Sequence, residues 1–339
     1  MTATRFDVDT VRLTEYLDDD IDHWCANNPR IKICALHQQQ LPHLFPPGYN
    51  GPKVDLTSLQ NALDVSRVIK SPHEISLIRH AVKLSSAAHR NVLHHITTLR
   101  SEAEILALFT DICISHGARR QAYTPIVAPG TNAAILHYTK NDETLKGKGS
   151  VCMDAGCEWE CYSSDVTRTF PISEKGWAST ETAEINAVVE EMQERCIEQL
   201  KPGIAYMDLF ILAHRVAIEG LLRLGIFKQG TDLDLLMKKG FSRAFFPHGL
   251  GHHIGLEVHD VSPQPLLSLK EEESRQPVWH TQNGKRTQID FRESPPFYYN
   301  SSRGAFCRPF PSSLSLPQED MVLTVEPGIR AFPPLPLKP

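Results

Sequence analysis

The chain has 339 residues, 41% hydrophobic and 22% charged, which is the composition of a globular protein with a length suited to about two domains. Its 35 lysines and arginines against 40 acids leave a net charge of −5, which gives no broad basic face for nucleic acid or for an anionic membrane surface. The opening "MTATRFDVDT" has no apolar leader core, no stretch reaches the roughly 18 apolar residues of a membrane span, and eight cysteines then read as reduced thiols, so a cytoplasmic protein is expected.

Apolar spacing over residues 11–24 predicts a helix, "IKICAL" (31–36) a strand, and "LPHLFPPGYNGP" (41–52) a loop. Ser71-Pro72-His73-Glu74 has the form of a capping box with proline at the first helical position, and Ser101 with Glu104 repeats the box; helices are expected over 72–98 and 102–116. Four β-type runs follow, at 122–128, 133–136, 150–155 and 165–170, then helices over 180–200 and 206–224 and a shorter one over 232–239. Residues 262–318 are rich in Pro, Ser and charge without a clean period and read as an irregular insertion; 331–339 is a proline-rich tail.

Three segments carry chemistry. "PHGLGHHIGLEVHD" (247–260) holds His248, His252, His253 and His259 among glycines that argue against a helix; it matches neither a zincin, a dinucleotide-binding nor a P-loop pattern. An extended segment whose backbone approaches something closely remains, and its imidazoles could be ligands or loop structure. In "VCMDAGCEWECYSSDVTRTF" (151–170), Asp154 and Asp165 would face each other across a hairpin closing near 156–160, an arrangement that needs a cation or a shared proton unless the acids turn to solvent. Cys152, Cys157 and Cys161 lack zinc-site spacing and read as buried strand thiols. "MVLTVEPGI" (321–329) runs an apolar strand into Glu326, either a surface acid at a strand end or a paired or metal-bound one. Together, acids and an imidazole on strands make an oxygen-rich ligand set that suits Mn²⁺, or less selectively Zn²⁺ or Co²⁺. Two such ions about 3.5–4 Å apart can activate water and polarise a carbonyl.

With "GTNAAILHY" (130–138), "MDAGCEWECYSSDVTRTFP" (153–171), "FPHGLGHHIGLEVHD" (246–260) and "MVLTVEPGI" in this order, the chain resembles the pita-bread metallopeptidases. Within them it is most similar to the Xaa-Pro aminopeptidases (aminopeptidase P) and prolidases, fungal members included. The resemblance implies an α+β fold, a curved, mostly antiparallel sheet backed by helices, over 71–330, behind a partial N-terminal α/β domain at 1–70. It implies two Mn²⁺ per subunit, with Asp154 on one, Asp165 bridging, and His252 and Glu326 on the other. Glu326 would also accept the proton of the attacking water, His248 and His259 would orient substrate and stabilise the oxyanion, and His137 would be a further active-site imidazole; His253 has no role. Small peptides with proline at position two would be the substrates, with a homodimer as the assembly to test. A prolidase and a non-catalytic binding protein of the same fold are the alternatives.

The chain departs from the family pattern in three ways. The family's further bridging glutamate, in a "GxRxED"-like segment beyond the V-E-P-G block, has no counterpart before Pro339, so weak occupancy of at least one metal position and reduced activity are expected. The similarity stops after Ile329, so Arg330 is not the family's arginine, and no substrate arginine aligns within 262–318.

Overall fold

A computed structural model describes residues 9–37, 54–228, 230–261, 278–282, 285–289 and 317–330. The predicted loop at 41–52 and the tail at 331–339 lie outside them. The chain divides into two compact units, Met1–Ser66 and Arg67–Pro339.

In the first unit a 3₁₀ turn, Thr14–Tyr16, leads into helix α1 (Leu17–Asn27), and strand β1 (Ile33–Cys34) pairs in parallel with β2 (Val54–Asp55). Helix α2 (Ser58–Val68) starts where the Asp55 carboxylate accepts the N–H groups of Thr57 and Ser58, at 2.8 and 3.0 Å.

The second unit begins in the last turn of α2, at Arg67, and continues into α3 (Pro72–His95). Its start follows the sequence rule: Ser71 Oγ accepts from Glu74 N and Glu74 Oε2 accepts from Ser71 N. Ile78, Ala81, Leu84, Ala88 and Val92 make a buried stripe at helical spacing. At α4 (Glu102–Ser115), Ser101 caps as expected, but Glu104 reaches back to Arg100 N, one residue before the cap. Next come β3 (Arg120–Gln121), β4 (Ile126–Pro129), β5 (Ser150–Asp154), β6 (Cys157–Trp159), β7 (Tyr162–Ser163) and β8 (Thr167–Pro171). They form two antiparallel sheets of three strands, in the orders β4-β5-β8 and β3-β6-β7. Val127, Val151, Met153 and Phe170 from the first sheet pack with Cys157 and the buried stripes of α3 and α4, so helices cover one side of the strands. Helices α5 (Thr180–Gln199) and α6 (Tyr206–Arg223) pair around Val188, Met192, Leu209 and Ala213, and this core also takes in Phe246, Leu250, Leu323 and Val325. Helix α7 (Leu233–Lys238) follows. Among the described residues no helix is long and apolar enough to cross a membrane.

Several expectations need correction. Residues 133–136 are not a strand: a 3₁₀ turn, Gly130–Ala134, forms instead because buried Asn132 donates from Nδ2 to Glu102 Oε1 at 3.0 Å. The runs 150–155 and 165–170 do pair, but a second hairpin, β6–β7, fills the connection and turns at Glu160-Cys161 with φ of 48° and 70°. Cys161 on that turn is exposed, whereas Cys157 is buried and Cys152 half-buried. The 321–329 segment is extended and bonds to residues 250–254 through its backbone, but only around one isolated bridge, His253–Leu323, and not as a continuous strand ladder. Within 262–318 a two-stranded antiparallel ladder, β9 (Val278–Gln282) with β10 (Lys285–Ile289), departs from the irregular reading; apart from residues 317 and 318, the rest of that insertion lies outside the described residues.

Candidate metal centre

The glycine-rich segment and the Glu326 segment lie side by side, antiparallel. Ile254 N donates to Val322 O at 3.2 Å, Thr324 N to His252 O at 2.9 Å, and Glu326 N to Leu250 O at 2.6 Å. His252 faces Thr324, and Glu326 is two residues beyond Thr324, so strand alternation puts the imidazole and the carboxylate on one face. Gly251 permits this pairing. A Cβ there would sit 2.1 Å from Thr324 O and 2.5 Å from the Tyr206 hydroxyl, so any side chain would drive the segments apart. At Gly251 the close approach expected of these glycines is therefore to neighbouring backbone and to the Tyr206 hydroxyl.

The two aspartates are not opposed across the ladder as expected. Asp154 pairs with Thr167, and Asp165 lies two residues before Thr167, diagonally on the same face. A group that sequence reasoning missed joins them. The Tyr123 hydroxyl bonds to Asp154 Oδ1 and, at 2.8 Å, to Asp165 Oδ1. Nothing in "AYTPIVA" marked this tyrosine, because its role comes only from where the bend between β3 and β4 places it. One hydroxyl proton serves two carboxylates, so the pair is stable with one further proton or with a cation. Burial and the Asp165 charge push Asp154 up to about 7, the side of the pair that holds the proton. Burial also raises Asp165, but hydrogen bonds from His252 and Tyr123 outweigh it and hold that carboxyl below its ordinary value.

His252 Nε2 is 3.2 Å from Asp165 Oδ2 and 3.0 Å from Glu326 Oε1. One donor atom from each of Asp165, His252 and Glu326 lies within 4.8 Å of the other two. Asp154 stands outside this trio, linked through Tyr123. His252 Nδ1 is 2.9 Å from His253 O and can only donate to a carbonyl, so in the neutral ring the Nε2 lone pair points at two carboxylates. Burial disfavours a charged imidazole, but Asp165 and Glu326 outweigh it and raise His252 to about 10. Apart from each other and Asp165, the buried atoms His252 Nε2 and Glu326 Oε1 have no polar partner among the described residues. Two acids converging on one buried imidazole nitrogen, with the imidazole oriented from behind by a carbonyl, fit a divalent cation.

The remaining histidines are arranged around this cluster. The His259 ring meets the His252 ring edge-on at 4.2 Å between centroids. His248 packs edge-on against Phe246, and its Nδ1 donates to Gly249 O at 2.9 Å. Burial lowers both His248 and His259, favouring neutral imidazoles. His137 is exposed on the loop after the 3₁₀ turn, in the left-handed region with φ of 55°. That loop is braced by Tyr138, whose hydroxyl donates to buried Glu102, and by Arg330, whose Nη1 donates to Ala134 O at 3.1 Å. His253, without an assigned role, is fully buried.

Fold and site together define a protein with a candidate divalent-metal centre. The family model for metallopeptidase family M24 matches residues 76–335, and the chain belongs to that family, with its α+β pita-bread fold. A probable Xaa-Pro aminopeptidase of Ajellomyces capsulatus is 52% identical over 265 residues, covering 78% of this chain and 51% of that protein. Another, of Aspergillus fumigatus, is 44% identical over 328 residues, covering 96% and 62%. Among solved structures, Zn-substituted Escherichia coli aminopeptidase P in complex with product superposes with a TM-score of 0.68 at 28% identity, covering 77% of this chain and 61% of that one. The chain thus spans roughly half to three fifths of the length of these relatives.

Proposed function

We propose that the chain carries the metal centre of an Xaa-Pro aminopeptidase that removes an N-terminal residue preceding proline. The observation that carries this reading is the Asp165–His252–Glu326 cluster, in which two carboxylates converge on one buried imidazole nitrogen, in a chain so similar to fungal Xaa-Pro aminopeptidases. Asp165, His252 and Glu326 would hold a first divalent ion, and Asp154 would help to hold a second; manganese is the metal we expect, with zinc or cobalt as substitutes. Bound there, the metal supplies Lewis-acid polarisation of the scissile carbonyl and makes water acidic enough to attack near neutral pH.

The chain's own groups do the rest. Glu326 takes the proton of the attacking water, as the carboxylate that lies beside the ligand imidazole and is a third exposed. His259, beside the ligand imidazole, donates to the developing oxyanion. His248 has a different part from the one the resemblance implies. Its Nδ1–H is committed to Gly249 O, so neutral His248 offers Nε2 only as an acceptor, suited to an N–H of the peptide. His137 approaches the substrate from the braced loop. A bond to proline selects such a site because the proline nitrogen carries no N–H and holds the local backbone fixed. We place the segment up to residue 70 as part of an N-terminal domain and the enzyme in the cytoplasm, where the seven described cysteines, all free, are at home.

The test is cleavage of Arg-Pro-Pro and of Gly-Pro with Mn²⁺ present. Release of arginine from the tripeptide with Gly-Pro left intact supports the aminopeptidase. Cleavage of Gly-Pro alone makes the protein a prolidase. A chain that binds Mn²⁺ and cleaves neither is the non-catalytic member of the fold.

A further inference from the structure

Asp260 takes part in none of the steps above, yet it is the most heavily bonded carboxylate near the site. It is 4% exposed. Its Oδ1 accepts from Arg67 Nη2 at 2.6 Å and Nε at 3.1 Å and from Glu257 N at 3.3 Å; its Oδ2 accepts from Lys70 Nζ at 3.0 Å. Lys70 is itself buried, and its only other side-chain bond among the described residues is to Val68 O at 3.4 Å. Taking an ammonium and a carboxylate out of water together is weak evidence for stability, since packed apolar groups of the same volume commonly do as well. The arrangement calls for another reason.

That reason lies in what the cluster touches. Asp260 N donates to His253 O at 3.1 Å, and the same oxygen accepts from His252 Nδ1 at 2.9 Å. The carbonyl that fixes the tautomer and tilt of the ligand imidazole is therefore held in place by the backbone of Asp260. Between residues 253 and 260 the chain doubles back, which lays His259 against His252, and it does so around the Asp260 carboxylate: a Cβ at Gly255 would meet Oδ2 at 2.5 Å. On the other side, Lys70 N donates to Asp320 O at 3.0 Å, where the segment that carries Glu326 begins. Val68, Val261 and Met321 close the same corner with apolar contact. A short stretch, residues 67–70, thus fastens the histidine segment through side chains and the glutamate segment through backbone.

We propose that Asp260, clamped by Arg67 and Lys70, is a positioning residue of the metal centre: it sets the direction of His252 Nε2 and the place of His259 beside it. This rests on the reading of Asp165, His252 and Glu326 as metal ligands. Losing an outer partner of a metal ligand weakens metal binding about 10–100-fold where such partners have been removed.

The test is calorimetric titration of Mn²⁺ into the whole chain and into Asp260→Asn, Arg67→Lys and Ile105→Ala, each held below its melting temperature. Asp260→Asn keeps the shape and removes the charge. Arg67→Lys is the milder variant, because it keeps a charge and loses only the fork. Ile105→Ala destabilises a core remote from the cluster. The proposal predicts that Asp260→Asn binds Mn²⁺ at least tenfold more weakly, that Arg67→Lys loses several-fold, and that Ile105→Ala binds like the parent despite a lower Tm. Parental Mn²⁺ affinity in the first two variants, or an equal loss in Ile105→Ala, overturns it, because the cluster is then structural. A parent chain that takes up no Mn²⁺ removes the metal-ligand reading itself, and the proposal with it.

Discussion

Tyr123→Phe isolates the charge problem at the centre. The substitution removes one oxygen and keeps the ring, so the half-buried packing is conserved while Asp154 and Asp165 lose the hydroxyl they share. A hydrogen bond to a charged group contributes about 1.5–3 kcal/mol, and one hydroxyl proton limits the loss to one such bond, so about 2 kcal/mol is the expected destabilisation. For a unit of this size that corresponds to a fall in Tm of about 4–8 °C. A divalent cation relieves the same repulsion between carboxylates, so the fall should shrink to less than half once saturating Mn²⁺ is present. Differential scanning calorimetry of parent and variant, with EDTA and then with Mn²⁺, reads both numbers. An equal fall under the two conditions refutes the reasoning, because it means the tyrosine does not stand in for a cation.

Gly251→Ala forces a Cβ to 2.1 Å from Thr324 O; the paired segments must separate, and the variant should lose more than about 2 kcal/mol in urea unfolding together with its Mn²⁺ binding. His137→Ala, on an exposed loop outside the ligand trio, should leave Tm and Mn²⁺ affinity unchanged while kcat/KM for Arg-Pro-Pro falls about 10- to 100-fold; unchanged kinetics exclude it from the site. Burial raises Asp260, but Lys70 and Arg67 outweigh it and its folded value is lowered, so its contribution is complete above the unfolded value of about 3.9 and is lost as pH falls through the folded one. Acid unfolding of the parent should therefore steepen below about pH 4, and Asp260→Asn should flatten that part of the curve. Mn²⁺ at 100 times its Kd should raise the unfolding free energy by about 2.7 kcal/mol over the EDTA-treated protein.

The helices could be read before the structure because their signals are local. Ser71, Pro72 and Glu74 fix a helix start within four residues, and the apolar stripe from Ile78 to Val92 needs no distant partner to be recognised. His252 and Glu326 were open between ligand and loop structure from their residues alone, and only the resemblance of the ordered blocks singled them out; the structure brings them to 3.0 Å of each other. What escaped was set by non-local geometry. Residues 133–136 have strand-like side chains, but a bond from Asn132 to Glu102, 30 residues away, turns them into a 3₁₀ segment. Asp154 and Asp165 were placed face to face because the inserted β6–β7 hairpin left no mark on hydrophobic alternation. Tyr123 and Asp260 act through partners 31 and 190 residues away, and no spacing rule reaches that far.

Anomalous diffraction at the manganese edge from crystals grown with Mn²⁺ tests the metal centre most directly. A peak among Asp165 Oδ2, His252 Nε2 and Glu326 Oε1, with a second beside Asp154, is the predicted result. A map with no peak there, or with manganese bound only elsewhere, contradicts it.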